Sequence, residues 1–217
     1  GFGLLEGFLV SYLEIQPFIV TLAGMFLARG LTTILSVNPV KVAHEGFQEL
    51  VKAKIKIPWL GYTAQNGNLI PAKLEIGAVV ALCVVLLIYL MLRYVRFGRK
   101  IYALGGNPAA ANLAGINVKK ITMIAYIICG FTASLAALMQ LSRSNSAQPG
   151  VGGNYPFDCM SAAVLGGISM SGGKGKIYGA IVGVLIIGIL NNGLQLMGCD
   201  ANLVDVVKGI ILIAAVG

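Results

Sequence analysis

Charge is what this sequence has least of. Of 217 residues, 16 are Lys or Arg and 8 are Asp or Glu, 11% together, where a soluble domain carries about a quarter. So few charged groups cannot cover a water-facing surface, which excludes an ordinary soluble domain. Histidine is scarcer still: His44 stands alone. One imidazole, with no convincing nucleophile and base pair, gives no sign of an enzyme. His44-Glu45-Gly46-Phe47-Gln48 begins like the zinc-protease helix, but Gln48 occupies the position of the second metal-binding imidazole. The four cysteines, Cys83, Cys129, Cys159 and Cys199, have neither CxxC nor other metal-ligand spacing. Cys83 and Cys129 lie in apolar runs and read as small packing residues. Cys159 and Cys199 fall near one predicted outer face, where a disulfide stays open because nothing in the sequence fixes their distance.

Nucleotide chemistry is missing as well. Gly172-Gly173-Lys174-Gly175 resembles part of a phosphate loop, but Ile168 stands where its first glycine belongs and Gly175 where its magnesium-binding hydroxyl belongs. Gly150-Val151-Gly152 and Gly173-Lys174-Gly175 each start a GxGxxG whose third glycine is replaced, by Tyr155 and Tyr178, and neither follows a strand. No cofactor is expected.

Apolar residues are abundant, at 57% of the chain, with a mean hydropathy of +0.85. Several runs approach the roughly 20 residues that cross a hydrocarbon core of about 30 Å. Spans are predicted over Gln16 to Leu35, Leu74 to Leu92, Ile121 to Leu141 and Tyr178 to Met197, with Leu203 to Val216 beginning a last one. Cys159 to Met170 is helical in pattern but short, and residues 144–158 are too dense in glycine and proline for regular helix. The fold class expected is all-α: a polytopic transmembrane helical bundle with lipid as its main solvent. The chain opens at Gly1 with an apolar stretch, residues 1–13, that is too short to span and lacks a signal peptide's basic start. It is expected to be a single membrane domain over 1–217 from which N-terminal spans are missing.

The net charge of +8 does not line a polar face as in a nucleic-acid binder; it clusters between apolar runs. Arg93, Arg96, Arg99, Lys100, Lys119, Lys120, Lys174 and Lys176 crowd two short connections. Lys41, Lys52, Lys54, Lys56, Lys73 and Arg143 are spread mainly through one long one. The denser set belongs in the cytoplasm, so residues 93–120 are expected inside and 36–73 outside. The outer loop, rich in turn formers and with Trp59 and Tyr62 at the interface, is expected to be irregular, with a short helix around Glu45 to Lys54.

Within the cytoplasmic loop, Asn107 is a good N-cap, Pro108 suits the first turn, Ala109 to Ala114 favour helix and Gly115 can end it. The helix is almost uncharged and made of small side chains, which fits an exposed surface only if another protein covers it. In the span after Tyr178, Gly179 and Gly183 form a GxxxG pair, and Gly188 and Gly193 extend a glycine-rich face suited to close packing. Asn191, Asn192 and Gln195 lie on or near that span, where polar groups need one another or a watery path.

The 98–116 loop, Gln16-Pro17-Phe18-Ile19-Val20-Thr21-Leu22-Ala23-Gly24-Met25 and the run from Ala162 to Gly175 together resemble the permease subunits of bacterial ATP-binding-cassette sugar importers, especially the ribose and galactofuranose type. The likeness covers nearly the whole chain. It implies that the Gly-Asn-Pro helix is the coupling helix that docks in a cleft of a separate ATPase, at Gly106, Asn107, Pro108, Ala110, Ala114 and Gly115. It further implies a second permease subunit, an external sugar-binding protein, residence in the bacterial inner membrane and ATP hydrolysis on the partner. A sugar path needs hydroxyl and amide partners more than ions; Asn191, Asn192, Gln195, Thr21 and Gln140 are the candidates. The loop from Gln148 to Asp158, facing outward, would help to dock the binding protein or gate the outer end. A branched-chain amino acid permease shares the short coupling helix and the glycine-rich segment, and a secondary carrier or channel would need no ATPase.

Overall fold

A computed structural model of the chain describes residues 1–41, 54–63, 69–147, 150 and 152–216. In chain order the described elements are α1 (Phe2–Tyr12), α2 (Pro17–Leu35), β1 (Val40–Lys41), β2 (Lys54–Thr63), β3 (Leu69–Glu75), α3 (Ile76–Tyr94), α4 (Arg96–Gly106) and α5 (Pro108–Leu113). There follow α6 (Val118–Ser144), β4 (Ser146–Ala147), α7 (Tyr155–Leu165), α8 (Ile177–Leu196) and α9 (Ala201–Val216). The expected all-α membrane fold holds, since α2, α3, α6 and α8 are each long and apolar enough to cross a membrane. At 16 residues, α9 reaches about 24 Å, short of a full crossing.

The two long strands correct the irregular outer loop. β2 and β3 form an antiparallel hairpin from Lys54↔Glu75 to Thr63↔Leu69, with a register shift between Ile57 and Gly61. Pro58 falls at that shift, where a residue without an N–H does least harm to the ladder. Most of the helix expected around Glu45 to Lys54 lies outside the described residues, and Lys54 itself opens β2. A second correction concerns α7, which starts at Tyr155 inside the stretch read as too broken for helix. Pro156 sits in its first turn, where the missing N–H costs nothing.

The chain divides into two units, Gly1–Val95 with Lys119–Val151, and Arg96–Val118 with Gly152–Gly217. In the first, α1 lies on α6 with almost no side chain between them. A Cβ on Gly3 would sit 2.7 Å from the Tyr126 carbonyl oxygen, and one on Gly7 would sit 2.9 Å from the Tyr126 Cβ, so glycine is required for this approach. Lys119 reaches back to Glu14, in the α1–α2 turn, at 3.0 Å. β1 pairs with β4 through Val40↔Ala147 and Lys41↔Ser146. One end of α2 and α6 is therefore tied by an ion pair and the other by strands. These two helices run in the same direction, and α3 between them in sequence returns the chain. In α2 the hydroxyls of Thr21, Thr32 and Thr33 donate to carbonyls of their own helix at 2.8–3.1 Å, which hides them from lipid.

In the second unit α7 and α8 pack through their backbones. A Cβ on Gly166 would collide with the Gly179 carbonyl, and one on Gly183 with the Ala162 carbonyl. The GxxxG pair is thus a packing face, as expected. Gly188 and Gly193 do not extend it, because a Cβ on either would meet nothing within 4 Å. Both α7 and α8 end in Schellman motifs. After α7, Gly167 (φ 74) brings the Ile168 N–H to the Ala163 carbonyl at 3.0 Å; after α8, Gly198 (φ 74) brings the Cys199 N–H to the Leu194 carbonyl at 3.1 Å.

Buried apolar residues are few and small to medium, among them Val20, Ala162 and Ile187, while Phe26, Leu87 and Ile189 stay exposed along their helices. Apolar faces turned outward in this way suit helices solvated by lipid. No disulfide joins Cys159 to Cys199.

Candidate functional site

The loop between α3 and α6 is more structured than a connection requires. After Arg93, whose guanidinium lies 5.6 Å from the Tyr89 and Tyr94 ring centroids, the chain enters α4. Phe97, Gly98, Ile101, Leu104 and Gly105 are buried or half-buried there, and Arg96, Arg99 and Lys100 are exposed. That spacing defines an amphipathic surface helix.

Asn107 breaks the helix and restarts it. Its backbone is extended (φ −156, ψ 102) and its side-chain oxygen accepts the Ala110 N–H at 3.1 Å, with Pro108 in the first turn. This is the N-cap that the sequence predicts. At the far end Gly115, at φ 78, closes a third Schellman motif, with Ile116 N–H donating to the Ala111 carbonyl at 3.0 Å and Gly115 N–H to the Asn112 carbonyl at 3.0 Å. A six-residue helix would not hold its shape alone; these two caps define it.

Only Ala111 is buried on α5; Gly106, Pro108, Ala110, Ala114 and Gly115 are exposed. Leu113 is 92% exposed. The sequence reading, drawn to the small residues on either side, missed it. Its signal was present nonetheless, as the one large apolar side chain in an otherwise small-residue helix.

The corner between α4 and α5 rests on the glycine turn that joins α7 to α8. A Cβ on Gly105 would collide with the Gly173 backbone nitrogen, and one on Gly173 would sit 2.6 Å from the Gly106 Cα. Gly172 and Gly173 have φ of 86° and 72°, a conformation that disfavours side chains. The turn is closed by Ser169 N–H to the Lys174 carbonyl at 3.0 Å, and the Tyr102 hydroxyl donates to the Gly175 carbonyl at 3.1 Å. At the start of α8, a hydrogen bond with Tyr178 pushes the Lys176 pKa up. The corner between α4 and α5 and the Gly172–Gly173 turn therefore meet backbone to backbone.

The path candidates fall into two groups. In the first unit the Thr21 hydroxyl is occupied by the Pro17 and Phe18 carbonyls, and Gln140 is half-buried on α6. In the second unit Asn191 and Gln195 are four residues apart on α8, so they share a face, and Asn192 and Gln195 are exposed. Asn191 Oδ1 is buried without a hydrogen-bond partner among the described residues. An orphaned buried acceptor costs about 1–3 kcal/mol.

Apolar helices of spanning length packed through glycine, together with a capped and exposed helix seated on a glycine turn, define a polytopic membrane protein. The chain belongs to the family described as branched-chain amino acid transport system / permease component, whose profile matches residues 1–216. It is 41% identical over 215 residues to the ribose import permease protein of Escherichia coli, covering 99% of this chain and 63% of that protein. The ribose import permease protein of Bacillus subtilis is 37% identical over 97% of this chain and 62% of its own length. The galactose/methyl galactoside import permease protein of Salmonella typhimurium is 31% identical over 99% of this chain and 61% of its length. The chain thus spans somewhat less than two thirds of these relatives. With four helices among the described residues long and apolar enough to cross a membrane, it is a multi-pass protein of the bacterial inner membrane. No solved structure matches it.

Proposed function

We propose that this chain is the membrane-spanning part of a permease subunit in an ATP-binding-cassette importer of a monosaccharide. The observation that carries the proposal is α5: capped at both ends, exposed, and presenting Leu113 with nothing over it. Such a helix needs a partner surface, and the sugar permeases to which the chain is similar supply the class of partner.

The proposed assembly has two permease subunits, two ATPase subunits and an external sugar-binding protein. Gly106, Asn107, Pro108, Ala110, Ala114 and Gly115 form the docking helix, with Leu113 as its apolar anchor in the ATPase cleft. Closure of the ATPase pair on ATP would push α5 against the Gly172–Gly173 turn and so move α7 and α8. Hydrolysis belongs to the partner. Thr21, Gln140, Asn191, Asn192 and Gln195 are proposed along the sugar path. The orphaned Asn191 oxygen favours that role most, because a sugar hydroxyl can donate to it.

The test is sugar-stimulated ATP hydrolysis by the complete complex in lipid nanodiscs. Gly115→Arg should abolish the stimulation while leaving the basal hydrolysis of the free ATPase intact; unchanged stimulation would refute the docking assignment. A second reading, import of a branched-chain amino acid, rests on the description of the family. Competition separates the two: uptake blocked by ribose or galactose but not by leucine supports the sugar.

A further inference from the structure

Charge is scarce in this chain, yet three of its ionised groups meet between α7 and α9. Lys208 Nζ lies 2.7 Å from Asp158 Oδ1 and 3.5 Å from Asp205 Oδ1. The side chains of Lys208, Asp158 and Asp205 are 13%, 25% and 51% exposed. Asn154 Nδ2 approaches Asp205 Oδ2 at 3.4 Å. The ammonium is spent on Asp158. Asp205 is left with two long contacts, although a carboxylate can accept about four hydrogen bonds. Two carboxylates against one ammonium also leave one negative charge without a counterpart, between helices whose remaining residues are mostly apolar.

A cavity of about 300 Å³ opens at this point, lined by Asn154, Phe157, Asp158, Ser161, Asp205 and Lys208 among others. Ser161 is only 7% exposed, and its hydroxyl takes no part in the bonds of the cluster. Phe157, Met160 and Leu212 give the cavity an apolar wall. The volume is at the small end of ligand sites.

We propose that this cleft binds a neutral polyol, with adjacent hydroxyls donating to Asp205, another group meeting Asn154 or Ser161, and the C–H face of the ring against Phe157. The excess negative charge disfavours anions. Underused carboxylate lone pairs favour a ligand rich in hydroxyl donors, and the apolar wall favours a sugar ring over bulk water. The inference rests on the reading of the cargo as a monosaccharide and adds a site that the amide residues of α8 do not include.

The experiment uses the full permease in its complex, with every native cysteine, Cys83, Cys129, Cys159 and Cys199 among them, replaced by alanine and Gly209→Cys introduced as a reporter. Gly209 lines the cavity, and a Cβ there would meet nothing within 4 Å, so the variant should fold. N-ethylmaleimide labelling is followed with D-ribose, D-galactose, L-leucine or sodium chloride and without the binding protein. Ribose or galactose should slow labelling severalfold, whereas leucine and sodium should not. Asp205→Ala should remove the protection, read as the ratio of labelling rates with and without sugar, and Asp205→Asn should retain part of it. Absent labelling, absent protection by sugars, equal protection by leucine or sodium, or protection surviving Asp205→Ala would each overturn the proposal. If ATP-driven sugar uptake continues where protection fails, the subsite is wrong and the transport reading stands. If neither occurs, both readings fall.

Discussion

At the scale of single residues, Leu113 and Asn107 make separable contributions. Leu113 makes almost no contact within its own chain, so Leu113→Ala should leave the thermal stability of the isolated permease unchanged. Burying a leucine gains roughly 1.5–3 kcal/mol, so the same variant should weaken ATPase capture about 10- to 100-fold, as measured by binding of the purified subunits. Asn107→Ala should act the other way round. It loses a cap contributing about 1 kcal/mol, frays α5 and lowers coupling through disorder of the helix. Asn191→Leu removes an acceptor that nothing in the described chain satisfies. If the oxygen serves the sugar, uptake should fall while the melting temperature holds or rises; a fall in both would make it a structural group. The cap at Asn107 and the end at Gly115 were legible in sequence because capping is local chemistry. The orphaned state of Asn191 was not, since one sequence does not fix how α8 is rotated. Nor was the Asp158–Lys208 pair, whose members lie fifty residues apart with no local pattern linking them.

At the scale of elements, glycine divides into positions that pack and positions that do not. Gly183→Ala should force α7 and α8 apart and destabilise the unit by about 1–3 kcal/mol, the usual cost of overpacking. Gly188→Ala, on the same helix and facing open space, should be neutral or slightly stabilising, because alanine favours helix by up to about 1 kcal/mol. Thermal unfolding of the two variants in one detergent provides the check. At the turn, Gly173→Ala meets both a backbone collision and a positive φ, and should reduce sugar transported per ATP hydrolysed more than it reduces hydrolysis itself. The crossing helices were readable because hydropathy over twenty residues is a strong signal. The hairpin β2–β3 was missed because Pro58 counted among the loop's turn formers, although it falls at a register shift within a ladder. Helix α4 was masked by its own cations: Arg96, Arg99 and Lys100 looked like an orientation signal, while Phe97, Ile101 and Leu104 carried the helical spacing beneath them.

At the scale of the whole molecule, the chain keeps few residues fully buried and turns large apolar side chains outward. Apolar faces turned outward in this way suit a surrounding of lipid better than one of water. A feature of the first unit bears on how such a chain is made. β1 and β4 are two residues each, and their partners Val40 and Ala147 stand more than a hundred positions apart. Short and distant pairings form after local ones, and during synthesis β4 emerges only when α6 is complete. Until then the end of α2 lacks this partner strand, although α2 and α3 are already long and apolar enough to cross the bilayer. The little β1–β4 clasp is thus a marker of completion, fastened once the unit's last crossing helix has entered the membrane.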